Sequence, residues 1–562
     1  MGKIVDFFGV PGSLYSSYLI IANKILIPIG SFCMTSTSDT QKTPVFPLLP
    51  MKRVAAIDLG TNSFHVVLAD LFSDGHYEIV DTLKEMVLLA DDGDLENLSE
   101  SAMDRGIAAL KKIRALCDGQ DVERILAYAT SAIREAKNGG DFIQRAIDET
   151  GIKINAISGL LEAELIALGV QYGMKLGKKE YMIADIGGGS VEFIIADQQE
   201  IKALDSRKIG VARLTADFVH HDPVEPEEIR EMKAHIANEL LPVVEAWGER
   251  KNSVLIGSSG TMQSIAAMIL FKRNKDIPIT LNEFEFTKKE FTELKEEIVN
   301  ANRSKREKIQ GLDEKRVDLI QAGVVLVEEI LQTFGAKAIR ISSQALREGI
   351  LIRYMKKMMK AEQPLITEKD PRRRSIFQLA RKCNWHEAHS RHVCALSLQL
   401  FDPFRDALAL TDMDRELLEY AAILHDIGYH ISHSSHHKHA LYLILNADLK
   451  GFSDEEIQIM AHVARYHRRS TPHKRHELYS GLPRQVKKRI KKLAGILRVA
   501  DGLDRSHYQN VKSLQVTMEP EKVTIAIHTQ SDPELELWGA TRKSELLAKK
   551  LKRTVEIVEA IG

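Results

Sequence analysis

Asp58-Leu59-Gly60-Thr61-Asn62-Ser63-Phe64-His65 and Asp185-Ile186-Gly187-Gly188-Gly189-Ser190 are two glycine-rich turns about 130 residues apart. Each follows a short apolar run that reads as a strand, Val54-Ala55-Ala56-Ile57 before the first and Tyr181-Met182-Ile183-Ala184 before the second. Each leads into another, Val66-Val67-Leu68 and Phe193-Ile194-Ile195. Strand, acidic residue, glycine turn, strand is a hairpin, and it occurs twice, too far apart for one βαβ fingerprint. Backbone N–H groups exposed in such turns form nests for anions, so two of them facing across a cleft can hold a phosphate chain from both sides. The acidic residue opening each turn suits a divalent cation rather than the phosphate.

The surrounding sequence repeats the same order. Between Met51 and about Gly177, strands alternate with helices, one over Leu98 to Cys117, a buried strand over Arg124 to Ala129, and a helix over Asp141 to Thr150. Residues 178–350 repeat the logic, with a helix after Glu225 and the strand Ser253-Val254-Leu255-Ile256. The turn Gly257-Ser258-Ser259-Gly260-Thr261 either contacts a nucleotide or only swings the chain from strand to helix. Pro364 and Pro371-Arg372-Arg373-Arg374 read as a linker, after which the chain to about Asn510 is helical and histidine-rich. The tail opens with strands over Val511 to Val516 and Val523 to Ile527 and is expected to end in a helix from about Arg542.

A chain of 562 residues exceeds one hydrophobic core and predicts three to four domains. A net charge of −1 gives no global attraction to nucleic acid or anionic lipid, so anion binding must be local. The four cysteines are scattered, which predicts a reducing, cytoplasmic setting without a disulfide framework. Residues 1–50 read either as a weak anchor or signal, or as a segment that is disordered or upstream of a true start at Met51. The second is expected, because Lys24 interrupts the apolar run Leu14 to Ile29 short of the ~18 residues a span requires.

The two turns, with Ala129-Thr130-Ser131-Ala132-Ile133-Arg134 and Ile157-Ser158-Gly159-Leu160-Leu161-Glu162-Ala163 between them, resemble the exopolyphosphatase/guanosine pentaphosphatase (Ppx/GppA) family. The match continues through Gly257 to Thr261 and Ser342-Ser343-Gln344-Ala345-Leu346-Arg347-Glu348-Gly349. The resemblance implies duplicated ribonuclease-H-like domains of the actin-like ATPase superfamily, domain I at 51–177 and domain II at 178–355. It also implies Glu162 as the residue activating water, Glu192 as a second acidic position at the metal, and a homodimer. From chemistry alone, Gly60, Gly187, Gly188 and Gly189 bring backbone donors to phosphoryl oxygens, and Asn62, Ser63 and Ser190 add hydrogen bonds. Arg134 can clamp a phosphate bidentately, and Asp185, with Asp58, can hold Mg²⁺. Two departures stand out: Leu161 replaces the first of a usual glutamate pair, and Lys84-Glu85-Met86 lacks an arginine often found there.

His392, His425-Asp426 and Asp501 resemble the metal ligands of an HD domain, a helical phosphohydrolase fold, over 370–510, followed by a small α+β domain at 511–562. Imidazoles and carboxylates from separate helices suit a divalent metal such as Mn, Fe or Mg with open positions. His433, His439, His462 and His467 are candidates for a second metal or for phosphate contact; His220, His221 and His473 read as surface residues. A bound metal is expected in this region, and an independent hydrolytic activity is not. Basic runs at Arg372 to Arg374, Arg465 to Arg475 and Arg484 to Lys492 suit a long polyanion, by analogy with counterion release from nucleic acids. The expected function is therefore Mg²⁺-dependent release of terminal phosphate from inorganic polyphosphate, without nucleic-acid binding or stable membrane insertion. The alternatives are conversion of pppGpp to ppGpp by the same cleft, or nucleotide hydrolysis at the HD site.

Overall fold

A computed structural model of the chain describes residues 50–73, 75–89, 96–248, 254–274, 280–359 and 370–560. Residues 1–49 of the N-terminal segment, and Pro364 of the linker, lie outside the described residues. The first sheet contains β1 (Lys52–Leu59), β2 (Ser63–Leu71), β3 (Tyr77–Met86), β4 (Arg124–Ala129) and β5 (Ile154–Ala156), in the order β3-β2-β1-β4-β5. The second contains β6 (Tyr181–Ile186), β7 (Val191–Ala196), β8 (Ile201–Arg207), β9 (Val254–Ser258), β10 (Glu285–Thr287) and β11 (Ala338–Ile341), in the order β10-β11-β9-β6-β7-β8. Read from β8, the second sheet repeats the first with β10 added at its edge. Each has an antiparallel meander whose first strand also pairs in parallel with a crossover strand. This is the duplicated actin-like arrangement, and the internal repeat expected from the two turns is real.

Both faces of β1 are covered, which explains its unbroken apolar run. Ala55 and Ile57 pack with Phe64, Leu110 and Phe142 under the helices Glu100–Gly119 and Gly139–Thr150. Val54 and Ala56 face the other way, into a core shared with Ile183, Ile194 and Ile256 of the second sheet. That shared core is filled by the helices Gly159–Gly173 and Leu346–Met359. Although Leu346–Met359 follows the second sheet in sequence, it packs against β1 and β2 of the first. The outer face of the second sheet is covered by the helices Pro226–Trp247, Ser259–Asn274, Lys288–Val299 and Ile320–Thr333.

The C-terminal region is helical, as expected, but two details differ. Pro371 to Arg374 is no linker: it is the first turn of the helix Pro371–Lys382, with Asp370 accepting from the N–H groups of Arg372 and Arg373. Proline at a first helical position costs no hydrogen bond, so a Pro-Arg run reads equally as a helix start. Two of its arginines are buried contacts. Arg374 donates to the Tyr172 carbonyl at 2.6 Å and stacks 3.9 Å over that ring, and Arg372 pairs with Glu456 at 2.7 Å. Second, the tail ends in a strand. β12 (Val511–Met518), β13 (Lys522–Thr529) and β14 (Thr554–Glu559) form one sheet, with the helices Glu534–Lys543 and Glu545–Leu551 between β13 and β14. Val523, Ile525 and Ile557 belong to the same core as Leu417, Ile459 and Leu497, so the tail and the helices are packed as one body. Among the described residues no helix is long and apolar enough to cross a membrane.

The crossing of Gly159–Gly173 with Leu346–Met359 permits no side chain at its contact. A Cβ on Gly349 would lie 1.8 Å from the Leu165 carbonyl oxygen, and one on Gly169 2.3 Å from that of Ala345. Gly349→Ala should therefore cost about 1–3 kcal/mol through overpacking, because the obstruction is backbone. A thermal midpoint equal to that of wild type would show that the crossing yields freely.

Candidate active site

The two turns are built alike and meet. Gly60 N–H donates to the Ser63 carbonyl at 3.2 Å and Gly187 N–H to that of Ser190 at 3.0 Å. Asp58 pairs across its hairpin with His65, and Asp185 with Glu192. A Cβ on Gly188 would lie 3.1 Å from Asn62 Nδ2, and one on Gly189 2.4 Å from Ser131 Oγ, so only glycine lets the turns approach this closely. The cleft they border has a volume of about 210 Å³. Gly60, Asn62, Ser63, Gly187, Gly188, Gly189 and Ser190 all line it, together with Asp58, Asp185 and Glu162.

Two expected contributors are elsewhere. Arg134 does not line the cleft; its Nη1 donates to Glu162 Oε2 and to the Ile157 carbonyl, both at 2.9 Å. It stands beside the glutamate, off the cleft lining where a phosphate clamp was expected. Glu192 also lies off the cleft wall, fully buried under its hairpin and accepting from Ser206 Oγ at 2.9 Å. The cations that do line the cleft are Lys84, Arg316 and Arg347. Lys84 occupies the segment where an arginine is absent. Arg316 lies over the Gly260 backbone and donates to Thr261 Oγ1 at 3.3 Å. The turn whose role stayed open, Gly257 to Thr261, reaches the cleft through Ser259 and Gly260. Ser259 has φ of 91°, a region that favours glycine, and its buried Oγ has no hydrogen-bond partner. An orphaned hydroxyl on the wall suits a ligand acceptor.

His65 ties the cation side together. Arg347 can only donate, so its contact at 3.2 Å makes His65 Nδ1 the acceptor and leaves Nε2–H to donate to Ser63 Oγ at 2.8 Å. Burial, reinforced by Arg347 and Lys84, pushes this imidazole down to about 3 and keeps it neutral. The carboxylates are pushed the other way. Burial raises Asp58 to about 7, Asp185 to about 6 and Glu162 to about 8, the last in spite of Arg134. Ser258 Oγ donates to Asp185 in a short hydrogen bond. Buried carboxylates with so few donors fit a divalent cation, which would hold them ionised.

A second cluster lies in the C-terminal helices. His425, Asp426 and Asp501 converge as expected, but His392 does not join them. On the helix Glu387–Phe404 it lies one turn on from His389 and packs beside Val511, with Nε2 unpartnered. His389 takes the expected place, and the groups that close to within 4.8 Å are His389, His425 and Asp501, and Asp426, His436 and His467. Of the extra candidates only His467 is in these groups; His433, His439 and His462 are not, and His436 was missed.

The cleft carboxylates give a pH test. Their folded values lie above the ordinary ~3.9–4.3, so the folded protein holds more protons than the unfolded chain, and metal-free stability falls as pH rises through about 6–8. Since a cation binds the ionised form, the gain in thermal midpoint on adding Mg²⁺ should widen from about pH 5.5 to about pH 8.5. A gain that stays constant across that interval would show that these carboxylates do not hold the metal.

The Ppx/GppA phosphatase family pattern matches residues 70–358, and that of Ppx/GppA phosphatase domain III matches residues 372–553. Among solved structures, an exopolyphosphatase from Cytophaga hutchinsonii is 32% identical with a TM-score of 0.52, covering 54% of this chain and 98% of its own. The Ppx/GppA family member from Aquifex aeolicus is 26% identical with a TM-score of 0.48, covering 56% of this chain and 99% of its own. With both family patterns in order along the chain and the paired turns enclosing Glu162, the protein belongs to the Ppx/GppA phosphatase family and is a phosphoanhydride hydrolase.

Proposed function

We propose that the cleft removes terminal phosphate from inorganic polyphosphate and releases orthophosphate. The observation that carries this reading is what the cleft lacks among its described lining residues, a surface for a nucleobase. The one ring there is His65, committed to Ser63 and Arg347. Glycine turns and three cations suit a chain of phosphates. The resemblance to the Cytophaga hutchinsonii exopolyphosphatase supports the same substrate.

In this mechanism the backbone N–H groups of the two turns, with Asn62, Ser63 and Ser190, hold the terminal phosphoryl oxygens. Lys84, Arg316 and Arg347 offset the charge of the following phosphates. The family depends on a divalent metal; Asp58 and Asp185 would hold it, where it supplies further charge neutralisation. Glu162 orients the attacking water and takes its proton. Burial raises its proton affinity to about 8 in the metal-free cleft, which makes it a strong acceptor wherever a bound cation would hold it ionised. The water oxygen bonds to the terminal phosphorus, the anhydride P–O bond breaks, and the shortened chain leaves. Arg134 acts through Glu162, holding its carboxylate in place and keeping its proton affinity from rising further.

Glu162→Gln should reduce orthophosphate release from long-chain polyphosphate by about 10²–10⁴-fold with the fold intact. Turnover equal to wild type would sink the assignment, and faster release from pppGpp than from long or short polyphosphate would transfer the reading to pppGpp. Arg134→Ala tests the supporting role separately. Removing that cation raises the Glu162 pKa, so the acidic limb of the pH–rate profile should move to higher pH. A uniform loss of rate without movement of that limb would place Arg134 on the substrate instead.

A further inference from the structure

One carboxylate beside the cleft touches both lobes. Glu135 ends the short helix Ser131–Glu135, which follows β4 and belongs to the lobe of the first sheet. Its Oε1 accepts from Ser131 Oγ at 2.8 Å and lies 3.6 Å from Arg134 Nη2. Its Oε2 lies 2.9 Å from Lys208 Nζ and accepts from Arg213 Nη2 at 3.2 Å. Lys208 and Arg213 follow β8, in the lobe of the second sheet. Glu135 does not line the cleft, and only 13% of its side chain meets solvent. Burial works against its charge, yet Lys208 and Ser131, with Arg213, hold its carboxyl below the ordinary glutamate value and keep it ionised.

Each partner continues to the cleft. Arg134 turns its other terminal nitrogen, Nη1, to Glu162 Oε2 at 2.9 Å. A guanidinium is a rigid planar fork, so an acceptor at one nitrogen helps set where the other points. Ser131 lines the cleft and abuts the second glycine turn, where a Cβ on Gly189 would lie 2.4 Å from its Oγ. Arg213 reaches the same turn: its Nε donates to the Gly189 carbonyl at 3.4 Å and its backbone N–H to the Gly188 carbonyl at 3.3 Å. Among the described residues neither Lys208 nor Arg213 has another carboxylate partner. Taking the charge from Glu135 would leave these two cations and Arg134 gathered with nothing to offset their repulsion.

We propose that Glu135 is a positioning residue for the hydrolysis, joining the two lobes at the glycine turns and fixing the Glu162 carboxylate relative to the second turn. The inference rests on the reading of Glu162 as the group that orients water. The helix crossing joins the sheets through their shared core. Glu135 joins the lobes a second time, through ions, where that core does not reach. Oε1 serves the side of Arg134 and Glu162, and Oε2 the side of Arg213 and the turn that would hold the phosphoryl oxygens. A displacement of about 1 Å between reacting groups costs on the order of 10²-fold in rate. Because Glu135 is off the cleft lining, its loss falls on the chemical step and not on binding of the phosphate chain.

The test measures orthophosphate release from long-chain polyphosphate with Mg²⁺, using the full chain. Glu135→Gln keeps the side chain's shape and removes its charge; kcat should fall about 10–100-fold with KM held within about twofold. In a chain already carrying Glu162→Gln, the same change should alter the residual rate by less than about twofold, since no water-orienting carboxylate is left to place. A merely structural side chain would cost the same factor in both backgrounds, and that result overturns the inference. So does a raised KM with kcat unchanged, which would put Glu135 on the substrate. Should Glu135→Gln fail to fold, Lys208→Met withdraws only the outer, 68% exposed cation and should lower kcat severalfold with KM held. Wild-type kcat in the variant that folds, beside lost turnover in Glu162→Gln, sinks this inference alone; wild-type turnover in Glu162→Gln sinks the reading beneath it as well.

Discussion

The helices Gly159–Gly173 and Leu346–Met359 cross with backbone against backbone, and the geometry of the cleft follows from that contact. They fill the core shared by the two sheets, so the sheets are held together by a seam rather than by a peripheral linker. Each helix also begins at the cleft. Glu162 lies in the first turn of one, and Leu346 and Arg347 open the other. Interiors this dense pass displacement on with little loss. A shift at the Gly349–Leu165 contact therefore moves the Glu162 carboxylate relative to the Arg347 guanidinium across the cleft lining. Fixing both groups to one crossing makes their separation a property of the core.

The cleft itself is built against stability. Asp58, Asp185 and Glu162 are desolvated together, close enough that each raises the cost of ionising a neighbour, while Lys84 and Arg316 share the opposite wall and are themselves pushed toward deprotonation by burial. Charges left in water would be cheaper for folding. Held out of water, they act on a phosphoryl group without first shedding a hydration shell, which is why such strain gathers where charge develops during reaction.

Much of this was legible in the sequence, and the gaps have physical reasons. The paired turns revealed the duplication, because a strand–Asp–glycine–strand pattern is local and each sheet is buried on both faces. Glu162 was legible as a cleft residue from its place in an ordered set of motifs. Arg134 was legible as important but not in its partner: an arginine's reach is set by tertiary placement, and here it ends on Glu162 and the Ile157 carbonyl. Lys84 and Arg316 sit outside any glycine motif, so only the fold brings them to the cleft. His389 and His392 stand one helical turn apart, and periodicity puts both on adjoining faces; Asp504, which holds His389, decides between them. Arg372 and Arg374 looked like part of a basic track, yet both are buried in the contacts that seat the C-terminal region, and Arg489 is paired with Asp414 and Glu455. Counting cations along a chain cannot separate those that meet solvent from those that meet carboxylates.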